Sequence, residues 1–244
     1  MHGRFLFEPH KYPKSKFAKK FDELFGSNRT KQNICVFAFE PNPMHNKTQS
    51  TTQHSYTKMG WRYHYMPYGV SDSDGNLTFY RNFDHMAGSS MEEWGFSIHR
   101  ENVTLHQRKE EGQTVTVNIV DLARWVLDEI VDRTIPEKTE YHLGSPVVTM
   151  KTDIEGSEFG TLLRMYRSRA YKVFKTILGE VHYNTYPQVI EGENYASKED
   201  LTGLWKQLSG MLGEDGGPGF RQFDDEEYLH DGMVYPDPES TNTW

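Results

Sequence analysis

Residues 147–158 constrain the fold of this chain more than any other segment. An apolar, β-branched run leads through Lys151 to Asp153 and Glu155, and Gly156 then opens a helical pattern. This order is typical of a strand, a tight turn and the start of a helix. Because ligands of open α/β sheets bind beyond the carboxyl ends of the strands, we expect the working site at this turn.

Strand-like and helix-like patterns alternate along the rest of the chain. Apolar runs bounded by turn residues predict strands at residues 34–39, 61–72, 77–80, 115–120, 147–152 and 173–181. Helical periodicity predicts helices at residues 14–25, 44–58 and 121–131, after residue 158 and after residue 197, with Ser15, Gly26 and Asp121 as capping residues. Glu158 fits an acid in the first turn of its helix better than a catalyst. This alternation predicts an α/β fold with a doubly wound, mostly parallel sheet, and the short strands near residues 77 and 115 predict a small antiparallel insertion.

Length and charge narrow the class of protein. The chain has 244 residues, enough for one large domain with a core, and we expect a single domain over residues 1–235 and a flexible tail over 236–244. The net charge of −8 argues against a nucleic-acid partner. No apolar run approaches the length of a membrane span and the opening residues lack a signal-peptide pattern, so we expect a cytoplasmic protein without a membrane span.

An acidic residue follows the first well-defined strand pattern. Glu40 ends the run at residues 34–39, and Pro41 and Pro43 stop the strand there. In doubly wound folds, an acid at the end of an early strand commonly accepts hydrogen bonds from both hydroxyls of a ribose. A surface glutamate before a proline-rich turn is an equally good interpretation of its position.

Further acidic residues end two later strands. Asp153 and Glu155 follow one strand, and Glu180 and His182 end the next, where the period of two places both on one face. If these strands are neighbours, the four side chains converge at one edge and could bind a divalent cation, act as a general base or orient an acceptor. Separate roles are the alternative, with one acid capping a helix and another pairing with a nearby lysine or arginine. The histidines lack the spacing of a zinc site, and no metal ligand is assigned.

Four segments in this order resemble one known family. They are residues 36–43 (VFAFEPNP), 69–72 (GVSD), 151–158 (KTDIEGSE) and 179–182 (GEVH). Together they resemble the FkbM-type methyltransferases, which use S-adenosylmethionine and have a Rossmann-like sheet of the class I methyltransferase type. The resemblance implies O-methylation of a small-molecule, glycan or lipid acceptor, in which alignment and modest base assistance carry the catalysis.

The resemblance also implies roles for particular residues. Near the cofactor it places Glu40 with Pro41 and Asn42 at the ribose, Val70, Ser71 and Asp72 beside the adenine, and Ser89 and Ser90 in a small polar loop. At the methyl group and the acceptor it places Asp153 and Glu155, and Glu180 and His182 complete the predicted catalytic edge.

One departure from the family pattern keeps other functions open. Family members carry a glycine-rich turn on a strand before the Glu40 strand, whereas only Gly3 and Gly26 precede residue 34 here. We therefore expect a first strand that is missing or reduced to a remnant at residues 1–4. A catalytically inactive Rossmann-like binding module is the main alternative. An NAD-dependent oxidoreductase is a weaker one, because no Gly-x-Gly-x-x-Gly is present.

Overall fold

In the computed structural model, the chain has a mixed α/β structure with helices and parallel sheets. It forms two compact units: the first contains the described residues up to Pro67, and the second contains Tyr68–Phe223. The described residues are 3–27, 31, 34–83, 93–97, 114–132, 147–154, 156–181 and 198–223.

The first unit combines three helices with a two-stranded parallel sheet. Its elements are α1 (Gly3–Phe7), α2 (Lys16–Phe25), β1 (Cys35–Phe39), α3 (Asn46–Lys58) and β2 (Arg62–Met66). The bounds of α2 follow from its caps, because Ser15 Oγ accepts a hydrogen bond from the Ala18 amide and Gly26 ends the helix at φ +78°. Strand β1 runs parallel to β2 with Cys35 opposite Arg62 and Phe39 opposite Met66.

Aromatic rings fill the core of the first unit. Phe5 stacks on Phe17 at a centroid distance of 5.9 Å, and Phe7 stacks on Trp61 at 4.4 Å. The hydroxyl of the buried Tyr56 donates to the Glu8 carboxylate. The first strand was expected to be missing or reduced to a remnant at residues 1–4, and the remnant is wrong where the chain is described. Residues 3–7 form a helix whose Phe5 and Phe7 pack onto α2, α3 and the residue preceding β2.

The second unit contains two sheets. Strands β3 (Gly69–Ser71), β4 (Gly75–Phe83), β5 (Glu93–Ser97) and β6 (Thr114–Asp121) form one sheet in the order β3-β6-β4-β5. Strands β7 (Thr149–Thr152), β8 (Thr176–Gly179) and β9 (Phe220–Gln222) form a parallel sheet in sequence order. The helices are α4 (Leu122–Val126), which continues as a π-helical turn over Leu127–Val131, α5 (Glu158–Ser168) and α6 (Lys198–Gly213).

The observed strands confirm some boundaries and correct others. The antiparallel pairing of the predicted short strands is confirmed, because β4 pairs antiparallel with β6 and also with β5, in a sheet separate from that of β7, β8 and β9. The predicted strand 61–72 is wrong as a continuous element: β2 and β3 belong to different sheets, and Pro67, which has no amide hydrogen to donate, lies between them. The predicted strand 173–181 shortens to β8, because a 3-10 helix occupies Ala170–Val173.

The parallel sheet positions the residues that follow its strands. Helix α5 connects β7 to β8 and α6 precedes β9, so the carboxyl ends of these strands lie at one edge. Asp153 and Glu180 follow the last residues of β7 and β8, and both therefore reach this edge. Within the described ranges, no helix combines the length and apolar character that a membrane crossing requires.

Candidate active site

Asp153 and Glu180 form a carboxyl pair at the ends of two adjacent strands. Strand β7 pairs with β8 so that Thr152 lies opposite Gly179, and the Glu180 amide donates to the Thr152 carbonyl at 3.1 Å. The register thus continues by one residue beyond both strands. It brings the Asp153 and Glu180 carboxyl groups within hydrogen-bonding reach of each other.

Lys151 bridges this carboxyl pair. Its Nζ lies 3.4 Å from Asp153 Oδ2 and 3.1 Å from Glu180 Oε1, and the Thr152 carbonyl oxygen is 3.4 Å away. The lysine side chain is only 9% exposed, whereas Asp153 and Glu180 are 28% and 23% exposed. The site therefore has a nearly buried cation behind two carboxyl groups that solvent and a ligand can reach.

The surroundings of Glu180 change its proton affinity. Burial is the main cause that raises its pKa, and the neighbouring charge of Asp153 raises it further. The charge and hydrogen bond of Lys151 act in the opposite direction, and the resulting pKa of Glu180 is about 7. A carboxyl group with this pKa gains and loses a proton near neutral pH, which is the property of a general base.

Gly179 allows the two strand ends to approach closely. A Cβ atom at this position would lie 2.6 Å from both Cγ2 and the carbonyl oxygen of Thr152, and 3.0 Å from the Phe220 ring. These distances are shorter than van der Waals contact, and one of the partners is backbone. The spacing that brings the carboxyl pair together therefore requires glycine.

Glu158 closes the turn between β7 and α5. As the first residue of α5 it confirms the prediction of an acid in the first turn of a helix. Its fully buried carboxylate accepts hydrogen bonds from the Ile154 amide at 3.1 Å and the Gly156 amide at 2.9 Å. Gly156 has φ +110°, a conformation that favours glycine. Glu158 thus holds the backbone that follows Asp153, and its role is structural.

The Glu40 turn, residues 40–44, is a local structure at the end of β1. Glu40 Oε1 accepts a hydrogen bond from the Asn42 amide at 2.8 Å, and Asn42 Oδ1 accepts one from the Met44 amide at 3.0 Å. Asn42 is buried, and Pro41 between it and Glu40 is partly buried. The predicted cofactor residues of this segment therefore form a turn in which the acidic side chain has a defined direction.

The negative charge of Glu40 contributes to the raised pKa values of two tyrosines. The Tyr65 hydroxyl donates to Asn46 Oδ1 and lies 3.5 Å from the Glu40 carbonyl oxygen. Burial and then the negative charge of Glu40 raise the pKa of Tyr65 to about 12. The same two causes raise the pKa of Tyr63, whose hydroxyl donates to Gln49. Tyr65 thus joins the surroundings of Glu40, although its sequence position gave no indication of this.

The predicted adenine-binding residues lie at the end of β3. Val70 is buried, and Ser71 lies opposite Asp121 in the parallel pairing of β3 with β6. Asp72 follows, and its Oδ1 accepts from Ser71 Oγ at 3.4 Å. Asp72 Oδ2 would lie 3.4 Å from a Cβ placed on Gly160. The loop after β3 therefore packs against α5, the helix that begins shortly after Asp153.

An Asp–Arg pair connects the end of β6 to helix α5 in the second unit. Asp121 Oδ1 caps α4 by accepting from the Arg124 amide, as the sequence predicts. Asp121 Oδ2 accepts from Nε and Nη2 of Arg164 at 2.9 and 2.8 Å. Arg164 therefore pairs with the acid that ends β6, and Lys151 pairs with Asp153 and Glu180.

The structure describes part of the predicted site. Glu155, His182, Ser89 and Ser90 lie outside the described residues. Within the described part of the chain, no group of three or more histidine, cysteine, aspartate or glutamate side chains is arranged to hold a metal ion. Lys151 was not among the predicted site residues, although its position two residues before Asp153 indicates that both side chains lie on one face of the extended chain.

Comparison of the chain with family models, with curated proteins and with solved structures finds no match.

Proposed function

We propose that the chain is an S-adenosylmethionine-dependent methyltransferase that methylates a hydroxyl group, with the Rossmann-like, doubly wound sheet of the class I methyltransferases. The carboxyl pair at the ends of β7 and β8 is the observation that carries this proposal. It combines a strand-end position, partial exposure and a Glu180 pKa of about 7. Those are the properties that a base assisting methyl transfer at neutral pH needs.

The Glu40 turn has the chemistry to hold the ribose of this cofactor. An ionised carboxylate is a hydrogen-bond acceptor with two oxygens, and the Asn42 amide holds Oε1 of Glu40 at 2.8 Å. Two vicinal ribose hydroxyls are donors that suit such a group. Pro41 and the buried Asn42 fix the direction of the Glu40 side chain, so little conformational entropy is lost when the ribose binds.

The remaining cofactor contacts follow from the family resemblance. We assign Val70, Ser71 and Asp72 to the adenine and Ser89 and Ser90 to a polar loop beside the cofactor. Asp153 contributes near the methyl group. When bound, S-adenosylmethionine supplies a methyl group on a positively charged sulfur.

The carboxyl pair provides the proton acceptor for the reaction. A deprotonated Glu180 would accept the proton of the acceptor hydroxyl, and the methyl group would pass from the sulfonium to that oxygen, leaving the cofactor as its thioether. Asp153 orients the hydroxyl and, through its charge, keeps the proton affinity of Glu180 high. We assign Glu155 and His182 to the same edge. The acceptor is a small molecule, a glycan or a lipid that bears a hydroxyl, and the proposed location of the protein is the cytoplasm.

Titration calorimetry with S-adenosylmethionine tests the cofactor assignment. We expect binding by the full chain and an affinity about 10- to 100-fold lower for Glu40→Ala, because hydrogen bonds to a charged group contribute about 1.5–3 kcal/mol. Glu23→Ala is the matched control, since this glutamate is 64% exposed on α2 of the same unit. An absence of binding by the full chain would refute the proposal.

Further measurements separate the alternatives. Cofactor binding without methyl transfer to any hydroxyl acceptor in a broad screen would favour an inactive binding module. Fluorescence titration that detects NADH binding in place of S-adenosylmethionine binding would favour an oxidoreductase. Methyl transfer that persists in EDTA would exclude a dependence on a divalent metal.

A further inference from the structure

We infer that Lys151 is a positioning residue of the proposed methyltransferase site: it holds Asp153 and Glu180 side by side and compensates their charge. This inference rests on the proposed function. It gives the lysine of the segment at residues 151–158 a role distinct from those of the acids that follow it.

The number of acceptors around the Lys151 ammonium matches its number of N–H donors. A lysine ammonium has three N–H groups. Three acceptors surround Nζ within 3.4 Å: Asp153 Oδ2, Glu180 Oε1 and the Thr152 carbonyl oxygen. These acceptors come from both β7 and the end of β8. Lys151 therefore joins the two strand ends, and its donors point at protein acceptors rather than at a ligand.

Burial makes the lysine a defined electrostatic partner. Its side chain is 9% exposed, so salt and water screen its charge less than they screen a surface lysine. Two carboxyl groups in hydrogen-bonding reach repel each other when both are ionised. The cation offsets that repulsion, so both groups can remain close while Glu180 releases and accepts its proton.

Few other charges act on Glu180 among the described residues. The groups that shift its pKa are Asp153, which raises it, and Lys151, which lowers it. The neighbouring strand β9 places the uncharged Gln222 opposite Gly179, and its exposed Arg221 lies opposite Leu178. Removal of the Lys151 charge therefore has a predicted direction: the pKa of Glu180 rises.

Carboxyl-carbon NMR titration of Glu180 in the full chain tests this role. We expect Lys151→Met to raise the titration midpoint by at least about one pH unit, because an opposite charge at this distance lowers a carboxyl pKa by about 1–3 units. Lys151→Arg retains the charge and should keep the midpoint near that of the unmodified protein. Lys172→Met is the matched control, since Lys172 is 44% exposed and faces the exposed Asp215 at 3.9 Å in the same unit.

Two further variants keep the test decisive if Lys151→Met does not fold. Lys151→Gln keeps amide donors but removes the charge, and it should also raise the midpoint. Asp153→Asn removes the carboxylate that raises the pKa of Glu180, so the midpoint should fall. An unchanged midpoint in folded Lys151→Met or Lys151→Gln protein would overturn the inference, as would an unchanged midpoint in Asp153→Asn.

The titration does not depend on turnover, so the two proposals can fail separately. A Glu180 midpoint that follows the Lys151 charge in a protein without methyl transfer would refute the proposed function and leave the electrostatic role of Lys151 in place. A Glu180 midpoint that does not change with the Lys151 charge, in a protein that does transfer methyl groups, would refute the role of Lys151 and leave the proposed function in place. In active protein, the pH–rate profile should shift with the NMR midpoint for Lys151→Met and remain in place for Lys151→Arg.

Discussion

The Glu40 turn and the carboxyl pair place acidic side chains at strand ends in two different ways. Glu40 is held by the Asn42 amide, two residues further along the chain. Asp153 and Glu180 meet only because β7 and β8 are parallel neighbours, with α5 between them in sequence. The direction of Glu40 is therefore a local property, whereas the proton affinity of Glu180 depends on the packing of distant segments.

Their electrostatic effects differ as well. The Glu40 charge contributes to the raised pKa values of Tyr63 and Tyr65. Glu180 is itself the group whose pKa is shifted, mainly by burial. The Glu40 turn thus suits the acceptance of hydrogen bonds, and the carboxyl pair suits proton transfer.

Replacement of the Glu180 carboxyl should have the largest effect. In the proposed reaction, Glu180→Gln keeps the size of the side chain but removes the proton acceptor, so kcat should fall about 10²- to 10⁴-fold while cofactor affinity is retained. Steady-state kinetics and calorimetry measure the two quantities. Glu129→Gln, at an exposed position after α4, is the control. Unchanged turnover in Glu180→Gln would show that the carboxyl pair is not the base.

A methyl group at Gly179 tests whether the pair depends on strand spacing. Because the added Cβ meets the Thr152 carbonyl oxygen at 2.6 Å, Gly179→Ala should lower the free energy of unfolding by about 1–3 kcal/mol. Urea unfolding measures this loss. Gly210→Ala in α6 has open space around its added Cβ, and it should stabilise the protein by about 0.5–1 kcal/mol. Equal stability of the two variants would contradict the close approach at Gly179.

The stability of the protein should carry a pH signature of Glu180. Its pKa rises from 4.5 to about 7 on folding, so the folded state binds the proton more tightly. This contribution is fully present below about 4.5 and is lost as the pH rises through about 7. Urea unfolding across this range should show a stability advantage over Glu180→Gln that declines with pH. An advantage that grows with pH would mean that the pKa is lowered instead.

The smallest expected effect concerns the tyrosines beside Glu40. Glu40→Gln keeps an oxygen for the Asn42 amide but removes the negative charge. The pKa of Tyr65 should therefore fall from about 12, by less than about one pH unit because burial is the larger cause. Tyrosine ring-carbon NMR measures the titration, and Glu23→Gln on α2 is the control. A Tyr65 pKa that does not change would show that Glu40 has no electrostatic influence there.

Local signals predicted the parts of the fold that depend on near neighbours. Ser15 and Gly26 bound α2, Asp121 caps α4, and Glu158 begins α5 as the sequence indicates. Tertiary packing decided the rest. Residues 3–7 form a helix that makes aromatic contacts with α2, α3 and Trp61, and these contacts join segments distant in sequence.

The candidate site likewise has features that the sequence predicts and features that depend on tertiary packing. The prediction that Asp153 and Glu180 lie at one edge required only that their strands be parallel neighbours, as β7 and β8 are. The double contact of Lys151 and the high proton affinity of Glu180 could not be predicted. They depend on how deeply three side chains are buried, which a sequence pattern does not specify.

The buried carboxylate of Glu158 also makes local opening of the site measurable by hydrogen exchange. The amide protons of Ile154 and Gly156 both donate to it, so they exchange with deuterated solvent only when this turn opens. Their exchange rates therefore report how often the backbone beside Asp153 leaves its folded conformation. Because that report needs no substrate, it can distinguish a variant with a damaged scaffold from one that has lost only a chemical group.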